Sequence, residues 1–349
     1  MKIIVDAMGG DNAPLEIVKG AVMASRELDV NIVLTGRTED VLKALEDMGE
    51  KEVPKNVEIA NASEVVEMED DPTGVIRKKP NSSMMVGLKM LREGEGDAFV
   101  SAGSTGALLT GATLVVHRIH GIRRAAFAPC IPSGKNAVLL LDGGANVECT
   151  PEYLLQFAYM GSFYMRKMMN VEHPRVGLLN NGTEESKGTA LQKEAYRLLQ
   201  KAADEGHIVF VGNVEARDIL LGACDVLVTD GFSGNLILKG LEGFGLFALD
   251  YLKNLFGSSF GTKLAYLLLR KRLRDLKKKV DVSEVGGTAL LGISRPVIKA
   301  HGSCKAYAIR SAILQAMDAV NANIAAEITA NIDSMRIDVP AGEGAEKNG

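Results

Sequence analysis

Six polar turns in this sequence bring together residue types that can hold an anion. They are DAMGGD from Asp6, SAGSTGA from Ser101, DGGAN from Asp142, NNGTEESK from Asn180, GNVE from Gly212 and DGFSGN from Asp230. One glycine-rich turn is usually a tight turn and nothing more. Turn chemistry does not require so many Asn, Asp, Ser and Thr residues at once, and backbone N–H groups that open helices form a ready anion site. The ligand class this favours is phosphate. Nucleotide and serine-nucleophile signatures are missing. The first turn lacks G-x-G-x-x-G and puts Asp11 where a pyrophosphate would approach, and no G-x-x-x-x-G-K-[ST] run occurs. Ser233 lacks the G-x-S-x-G spacing of a nucleophile elbow.

Such turns need a scaffold that aligns them. Each follows a short apolar run, at residues 3–5, 99–100, 138–141, 176–179, 208–211 and 226–228, and a further run occupies 32–34. Short β-branched runs alternating with helical periodicity predict buried parallel strands in an α/β protein, with helices on both faces of the sheet. In such a sheet ligands sit beyond the carboxyl ends of the strands, where all six turns would fall. The reading is one α/β catalytic unit over residues 1–333, three-layer α/β/α with a mostly parallel sheet. Within it residues 234–279 carry helical periodicity broken at Gly257, Ser258 and Ser259, which predicts a protruding helical hairpin. From 334 to 349 the sequence turns polar and glycine-rich, the composition of a disordered tail.

Composition narrows the function classes. The 349 residues are 46% hydrophobic and 24% charged, ordinary for a globular chain with a sizeable core. No apolar run approaches the ~20 residues of a membrane-spanning helix. The start, MKIIVD, does not read as a signal peptide, so a cytoplasmic location is expected. A net charge of −4 argues against nucleic-acid binding. That average conceals an asymmetry. Between Lys263 and Lys279 stand eight Lys or Arg residues and one acid, Asp275, so this window carries +7 against −11 elsewhere. Cys130, Cys149, Cys224 and Cys304 form no CxxC pair, and His117 and His120 have no acid or thiol at ligand spacing, so no metal site is expected.

In order along the chain, DAMGGDNAP from Asp6, SAGSTGA from Ser101, DGGAN from Asp142, GNVE from Gly212, DGFSGNLILK from Asp230 and the pair His301 and Gly302 closely resemble the motifs of the bacterial phosphate acyltransferase (PlsX) family. The resemblance runs from Met1 to about Ala330. It implies conversion of acyl-[acyl carrier protein] and inorganic phosphate into acyl phosphate, feeding phosphatidic acid and phospholipid synthesis. It also implies a homodimer, no cofactor, and a fold like that of phosphotransacetylases or isocitrate and isopropylmalate dehydrogenases. The chain departs from the family at Ser104, where Asn is usual, at Ala216, where Gly is common, and at 285–292, where VGGTALLG replaces a typical YGGAPLLG. The change at Ser104 argues against an essential amide there.

The residues agree with that chemistry. A thioester is already activated and its thiolate leaves with a pKa near ~8.5, so no Ser-His-Asp relay is needed. The demand is to hold phosphate against a carbonyl and to stabilise the oxyanion that forms. On this reading Gly9, Gly10, Gly103, Ser104 and Thr105 bind phosphate, and Asn146, Asn180, Asp230, Ser233 and Lys239 line the same crevice. Lys187 neutralises phosphate, Asn235 or Asn213 donates to the oxyanion, and His301 donates to the intermediate or protonates the thiolate. Asp6 and Asp230 orient amides. Cys149 is a poor acyl-enzyme nucleophile, because nothing nearby lowers its pKa and Glu148 would raise it. The rivals are a CoA-dependent phosphotransacetylase, a metal- and nicotinamide-dependent dehydrogenase, whose clustered Asp and Arg residues are missing, and a non-catalytic membrane adaptor.

In the hairpin Phe244, Phe247, Tyr251, Leu252, Leu255 and Phe256 recur at helical spacing, continued by Phe260, Leu264, Leu267 and Leu268, as for a helix pair in a dimer interface. At its tip Leu255, Phe256 and Phe260 lie between Lys253 and Lys263, which suits a lipid headgroup boundary. The basic run at 270–279 suits an anionic membrane or the acidic carrier protein. The expected partners are therefore acyl carrier protein, a second copy, the inner face of the cell membrane and a downstream glycerol-3-phosphate acyltransferase. A second basic patch, Arg77 to Lys79, precedes Ser82 and Ser83 at a helix start and could guide carrier protein or phosphate.

Overall fold

The computed structural model describes residues 1–134, 137–280 and 287–336, with the backbone alone at Phe260 and at 274–280. In chain order the strands are β1 (Lys2–Asp6), β2 (Asn31–Gly36), β3 (Val57–Asn61), β4 (Ala98–Ser101), β5 (Ala126–Ala128), β6 (Cys130–Pro132), β7 (Ala137–Leu141), β8 (Arg175–Leu179), β9 (Val209–Val214), β10 (Val226–Val228), β11 (Thr288–Leu291) and β12 (Val297–Lys299). The α-helices are α1 (Leu15–Glu27), α2 (Thr38–Asp47), α3 (Val75–Lys78), α4 (Ser83–Glu93), α5 (Thr105–Gly111), α6 (Pro151–Met168), α7 (Ala190–Asp204), α8 (Gly231–Gly257), α9 (Phe260–Val280), α10 (Ala306–Ala322) and α11 (Ile324–Ala330).

The strands form two sheets rather than the single one expected, in the orders β3-β2-β1-β4-β12-β11-β5 and β6-β7-β10-β8-β9. Both are mostly parallel. The antiparallel pairs are β11 with β12, β11 with β5, and β6 with β7. The chain passes from one sheet to the other at Pro129, which has no N–H to give a ladder. Its carbonyl still accepts from Leu140 N at 2.9 Å, which keeps the sheets abutted.

Strand alternation explains the layers. Ile3 and Val5 of β1 pack with α1 and α10, while Ile4 faces the other way and packs with α4. In the second sheet Leu139 and Leu141 join α6 in the same large core, and Val138 and Leu140 face Ile237, Leu238 and Leu241 of α8. The central strands are thus covered on both faces by apolar side chains, the arrangement that gives continuous apolar runs in sequence, whereas β9 at an edge leaves Val209 and Val211 exposed. Truncating one such residue, Ile4 for example, would cost about 2–5 kcal/mol.

The hairpin is present, beginning at Gly231 rather than 234 and reaching Val280, with its break at Ser258. Asp230 caps α8 by accepting from Ser233 N at 2.8 Å, and Ser259 caps α9 by accepting from Thr262 N at 3.2 Å. Beyond Leu241 the side chains of α8 leave the body, and Phe244, Phe247 and Tyr251 are exposed. At the other end of the chain, residues 333–335 form a short helical turn in which Met335 is fully buried, so ordered structure passes the expected boundary at 334. The rest of the expected tail, 337–349, lies outside the described residues. Among the described residues no helix is long and apolar enough to cross a membrane.

Candidate active site

β1, β4 and β12 end side by side, with Lys299 opposite Ser101 in parallel register. Three turns therefore emerge together. Gly10, at φ +103°, lets them close up: a Cβ there would stand 2.9 Å from Gly302 O and 3.0 Å from Ala102 Cβ. Asp11 N donates to Gly302 O at 2.8 Å, and Asn12 Nδ2 donates to Ser303 O and Cys304 O at 3.0 and 3.2 Å. Asp6 organises the group from beneath. Its buried carboxylate accepts from Ser101 Oγ at 2.7 Å and Met8 N at 3.2 Å, and Ser101 Oγ accepts from Gly103 N at 3.0 Å. Burial raises the Asp6 carboxyl above its ordinary range, opposed by these hydrogen bonds.

The second sheet contributes the turns after β7 and β10. Asp142, fully buried, accepts from the N–H groups of Phe127, Gly144, Ala145 and Asn146 at 3.0, 3.1, 3.1 and 2.6 Å. Desolvation raises its carboxyl too, against the same hydrogen bonds. The α8 start packs directly on this turn, since a Cβ on Gly234 would lie 2.0 Å from Asp142 O.

Between the two groups of turns and the hairpin lies a cavity of about 1860 Å³. Its polar end is lined by Asp11, Gly103, Thr105, Gly144, Asn235, Lys299, His301 and Ser303, and its far wall by Leu246, Leu249, Leu252, Phe256, Tyr266 and Leu267. His301 Nδ1 lies 3.0 Å from Ser303 Oγ and 3.3 Å from Ser303 N, so Nδ1 is engaged by Ser303 and no protein partner of Nε2 is seen among the described residues. Lys239 also lines the cavity, its Nζ paired to Glu242 at 2.7 Å.

Of the residues expected from sequence, Gly103, Thr105, Asn235, Lys239 and His301 meet in this cavity. Others have different work. Ser104 is the buried cap of α5, accepting from Ala107 N at 3.5 Å, and is not part of the lining. Serine and asparagine cap helices equally well, which accounts for its departure from the family pattern. Asn146 Nδ2 donates to Asp142 and to Ala125 O, and Ser233 Oγ donates to Asp230, so these three hold a turn and a helix start. Gly9 is a close-approach position, its Cβ site 2.6 Å from Asp6 Oδ2.

Asn180, Lys187 and Asn213 sit together elsewhere, on the turns after β8 and at the end of β9. Asn180 Nδ2 donates to Lys187 O at 3.3 Å and Asn213 Nδ2 to Glu184 O at 2.8 Å. The Lys187 ammonium lies 4.0 Å from Glu184, and none of the three lines the cavity. Cys149 is pushed up to about 12, by burial first and then by Asp142, with Asp230 adding to it; Glu148 is not among the causes. In the second basic patch, Lys79 is tied to Asp70 at 2.5 Å and to Val65 O, and Ser82 caps α4. At the hairpin tip Leu255 is exposed and Phe256 faces the cavity. The Phe260 side chain and those of the basic run at 274–279 lie outside the described residues.

Sequence reasoning missed Lys299. Partly buried at the end of β12, it donates to the carbonyls of Ala102, at 3.3 Å, and Ala300. An ammonium has three protons, and this one keeps a donor for the cavity. Burial lowers its pKa to about 8, although Cys304, Asp6 and Asp11 oppose the shift. The available signal was a lysine closing an apolar run immediately before His301. Among the described residues no cluster of His, Cys, Asp or Glu could hold a metal ion.

Comparison with known proteins identifies the family. The family model described as "Fatty acid synthesis protein" matches residues 1–327. The phosphate acyltransferase of Caldanaerobacter subterraneus subsp. tengcongensis is 46% identical over 334 residues, covering 95% of this chain and 98% of its own. That of Thermoanaerobacter pseudethanolicus is 47% identical over 336 residues, covering 96% and 98%. Among solved structures, a phosphotransacetylase from Streptococcus pyogenes superposes with a TM-score of 0.61 at 17% identity, covering 93% of this chain and 94% of its own, a likeness of fold. The chain belongs to the fatty acid synthesis protein family, the phosphate acyltransferase (PlsX) family that its motifs resemble, and is an enzyme of that class.

Proposed function

We propose that the cavity carries out phosphorolysis of a fatty acyl thioester borne by acyl carrier protein, giving acyl phosphate for phosphatidic acid synthesis. The observation that carries this is Lys299, an ammonium with an unused donor at the polar end of a cavity whose far wall is apolar. Lys299 takes the phosphate-neutralising role expected of Lys187. Phosphate sits between it and Thr105, whose N–H is one of the unpaired donors opening α5. A phosphate oxygen attacks the thioester carbon, and the carbonyl electron pair moves onto oxygen. Asn235 and His301 Nε2–H donate to that oxyanion, the kind of preorganised donor whose removal costs about 10²–10³ in rate. Collapse breaks the C–S bond, and the thiolate takes its proton from His301 or water. No acyl-enzyme is needed, in keeping with the raised Cys149 thiol.

The remaining partners follow from surfaces. The outer stripe of Phe244, Phe247 and Tyr251 fits a second copy, and Leu255 beside Lys253 fits an anionic bilayer surface at the inner face of the cytoplasmic membrane. Product released there would meet a glycerol-3-phosphate acyltransferase. The deciding assay offers palmitoyl-carrier-protein and palmitoyl-CoA, each with and without phosphate, and traps acyl phosphate with hydroxylamine. Phosphate-dependent hydroxamate, formed faster from the carrier protein, supports the reading. Equal or faster use of CoA would make the enzyme a phosphotransacetylase instead.

A further inference from the structure

The cavity is much larger than phosphate and a thioester need, and its excess volume lies along the hairpin. Leu249, Leu252 and Phe256 of α8 are half-buried and recur every three or four residues along it, with Leu246, Tyr266 and Leu267 exposed at its rim. This is not the stripe that faces outward. Phe244, Phe247 and Tyr251 lie on another side of α8, Phe247 tilted against Phe244 and stacked on Tyr251 with ring centroids 6.5 and 6.3 Å apart. The hairpin thus has two apolar faces. A second copy or a bilayer can cover the outer one, whereas the inner one is continuous with the cavity that holds Lys299 and His301.

Length fits a fatty chain. At 1.5 Å per residue, Asn235 to Leu246 spans about 16 Å and Asn235 to Phe256 about 32 Å. An extended chain advances about 1.2 Å per bond, judged from ~3.5 Å per three-bond residue, so a palmitoyl chain reaches about 18 Å and an octanoyl chain about half that. Of the charged residues on this wall, Lys239 and Glu242 pair with each other near the polar end, while Asp250, Lys253, Lys263 and Arg270 also line the cavity. We propose that the inner face of the hairpin is a gallery for the hydrocarbon chain of the acyl donor, with the thioester beside Asn235 and Lys299 and a palmitoyl end between Gly245 and Leu249. It rests on the phosphorolysis reading above. The bundle then sets chain preference, and a longer chain extends toward Phe256 at the tip.

Two measurements test this. Wild-type enzyme is irradiated with a palmitoyl-carrier-protein whose terminal carbon carries a diazirine, and the label is mapped by peptide sequencing. Label on 246–252 or 266–267 is expected; label confined to other segments overturns the gallery. Separately, the ratio of kcat/KM for palmitoyl over octanoyl donors is taken for Leu249→Trp and, as an outer-face control, Phe247→Trp. A bulky plug at Leu249, which is half-buried on the cavity wall, should lower that ratio about tenfold, the order expected when a pocket loses room for part of a chain. Phe247→Trp should leave it unchanged. An unchanged ratio for Leu249→Trp overturns the gallery while continued acyl phosphate formation leaves the phosphorolysis reading standing. If wild-type enzyme makes no acyl phosphate from either donor, that reading falls and the gallery with it.

Discussion

Lys299 Nζ donates to Ala102 O at 3.3 Å, so the ammonium on β12 is anchored to the turn that ends β4. Both of its protein acceptors are backbone carbonyls, and no carboxylate pairs with it among the described residues. A partly buried cation that no carboxylate pairs with directly, Asp6 and Asp11 acting on it without an ion pair, gains when an anion arrives. It lines the same cavity as Thr105 and His301, and the proposed function assigns it to phosphate.

That environment gives a pH signature. The Lys299 pKa is lowered to about 8, so the ammonium is present below that pH and lost as pH rises through it. In the free enzyme kcat/KM for phosphate should therefore fall on the alkaline side with an apparent pKa near 8. Lys299→Arg keeps its charge at all these pH values. The alkaline fall should disappear in that variant, whereas the titration of phosphate itself is common to both proteins.

His301 Nδ1 is engaged by Ser303, and the proposed function gives its Nε2 the donor role. His301→Ala should lower kcat by about 10²-fold, and His301→Gln, which restores an N–H donor, should recover part of the loss. Steady-state kinetics at saturating phosphate read this directly. Equal activity of the Ala variant would remove His301 from the chemistry.

Ser104 caps a helix. Ser104→Ala should cost about 1 kcal/mol of stability, and Ser104→Asn should be close to neutral in thermal unfolding. The same two variants should show similar KM for phosphate. A large KM increase confined to Ser104→Ala would return the hydroxyl to the binding site.

Two glycines of α8 make a contrasting pair. A Cβ on Gly234 would stand 2.0 Å from Asp142 O, whereas one on Gly243 meets nothing within 4 Å. Gly234→Ala should destabilise the enzyme by about 1–3 kcal/mol or more and impair activity by moving Asn235. Gly243→Ala should raise helix stability by about 0.5–1 kcal/mol. Differential scanning calorimetry compares them.

Most of the scaffold was readable because the central strands are covered on both faces. The buried strands at β1, β4, β7, β8 and β10 are therefore uninterrupted apolar runs. The strands that escaped notice are β3, β5, β6, β11 and β12; β5, β6 and β12 are three residues long, and Pro132 and Lys299 end two of them. For β5 and β12, pairing with β11 and β4 far along the chain makes them strands. The site divided in the same way. Motif turns identified the right strand ends, yet could not say which polar groups face the cavity and which are engaged inside the turn. Asn146 and Ser233 look like ligands in sequence and prove to be braces. Lys299 looks like a strand-end lysine and becomes a site residue only when β12 lies beside β4.

The most direct test is the KM for phosphate of Lys299→Met against wild type, measured by hydroxylamine trapping of acyl phosphate from palmitoyl-carrier-protein. Losing a charged hydrogen bond of about 2 kcal/mol predicts a rise of about thirtyfold, with the KM for the acyl donor little changed. A phosphate KM equal to that of wild type, in a variant that folds normally, would contradict the account.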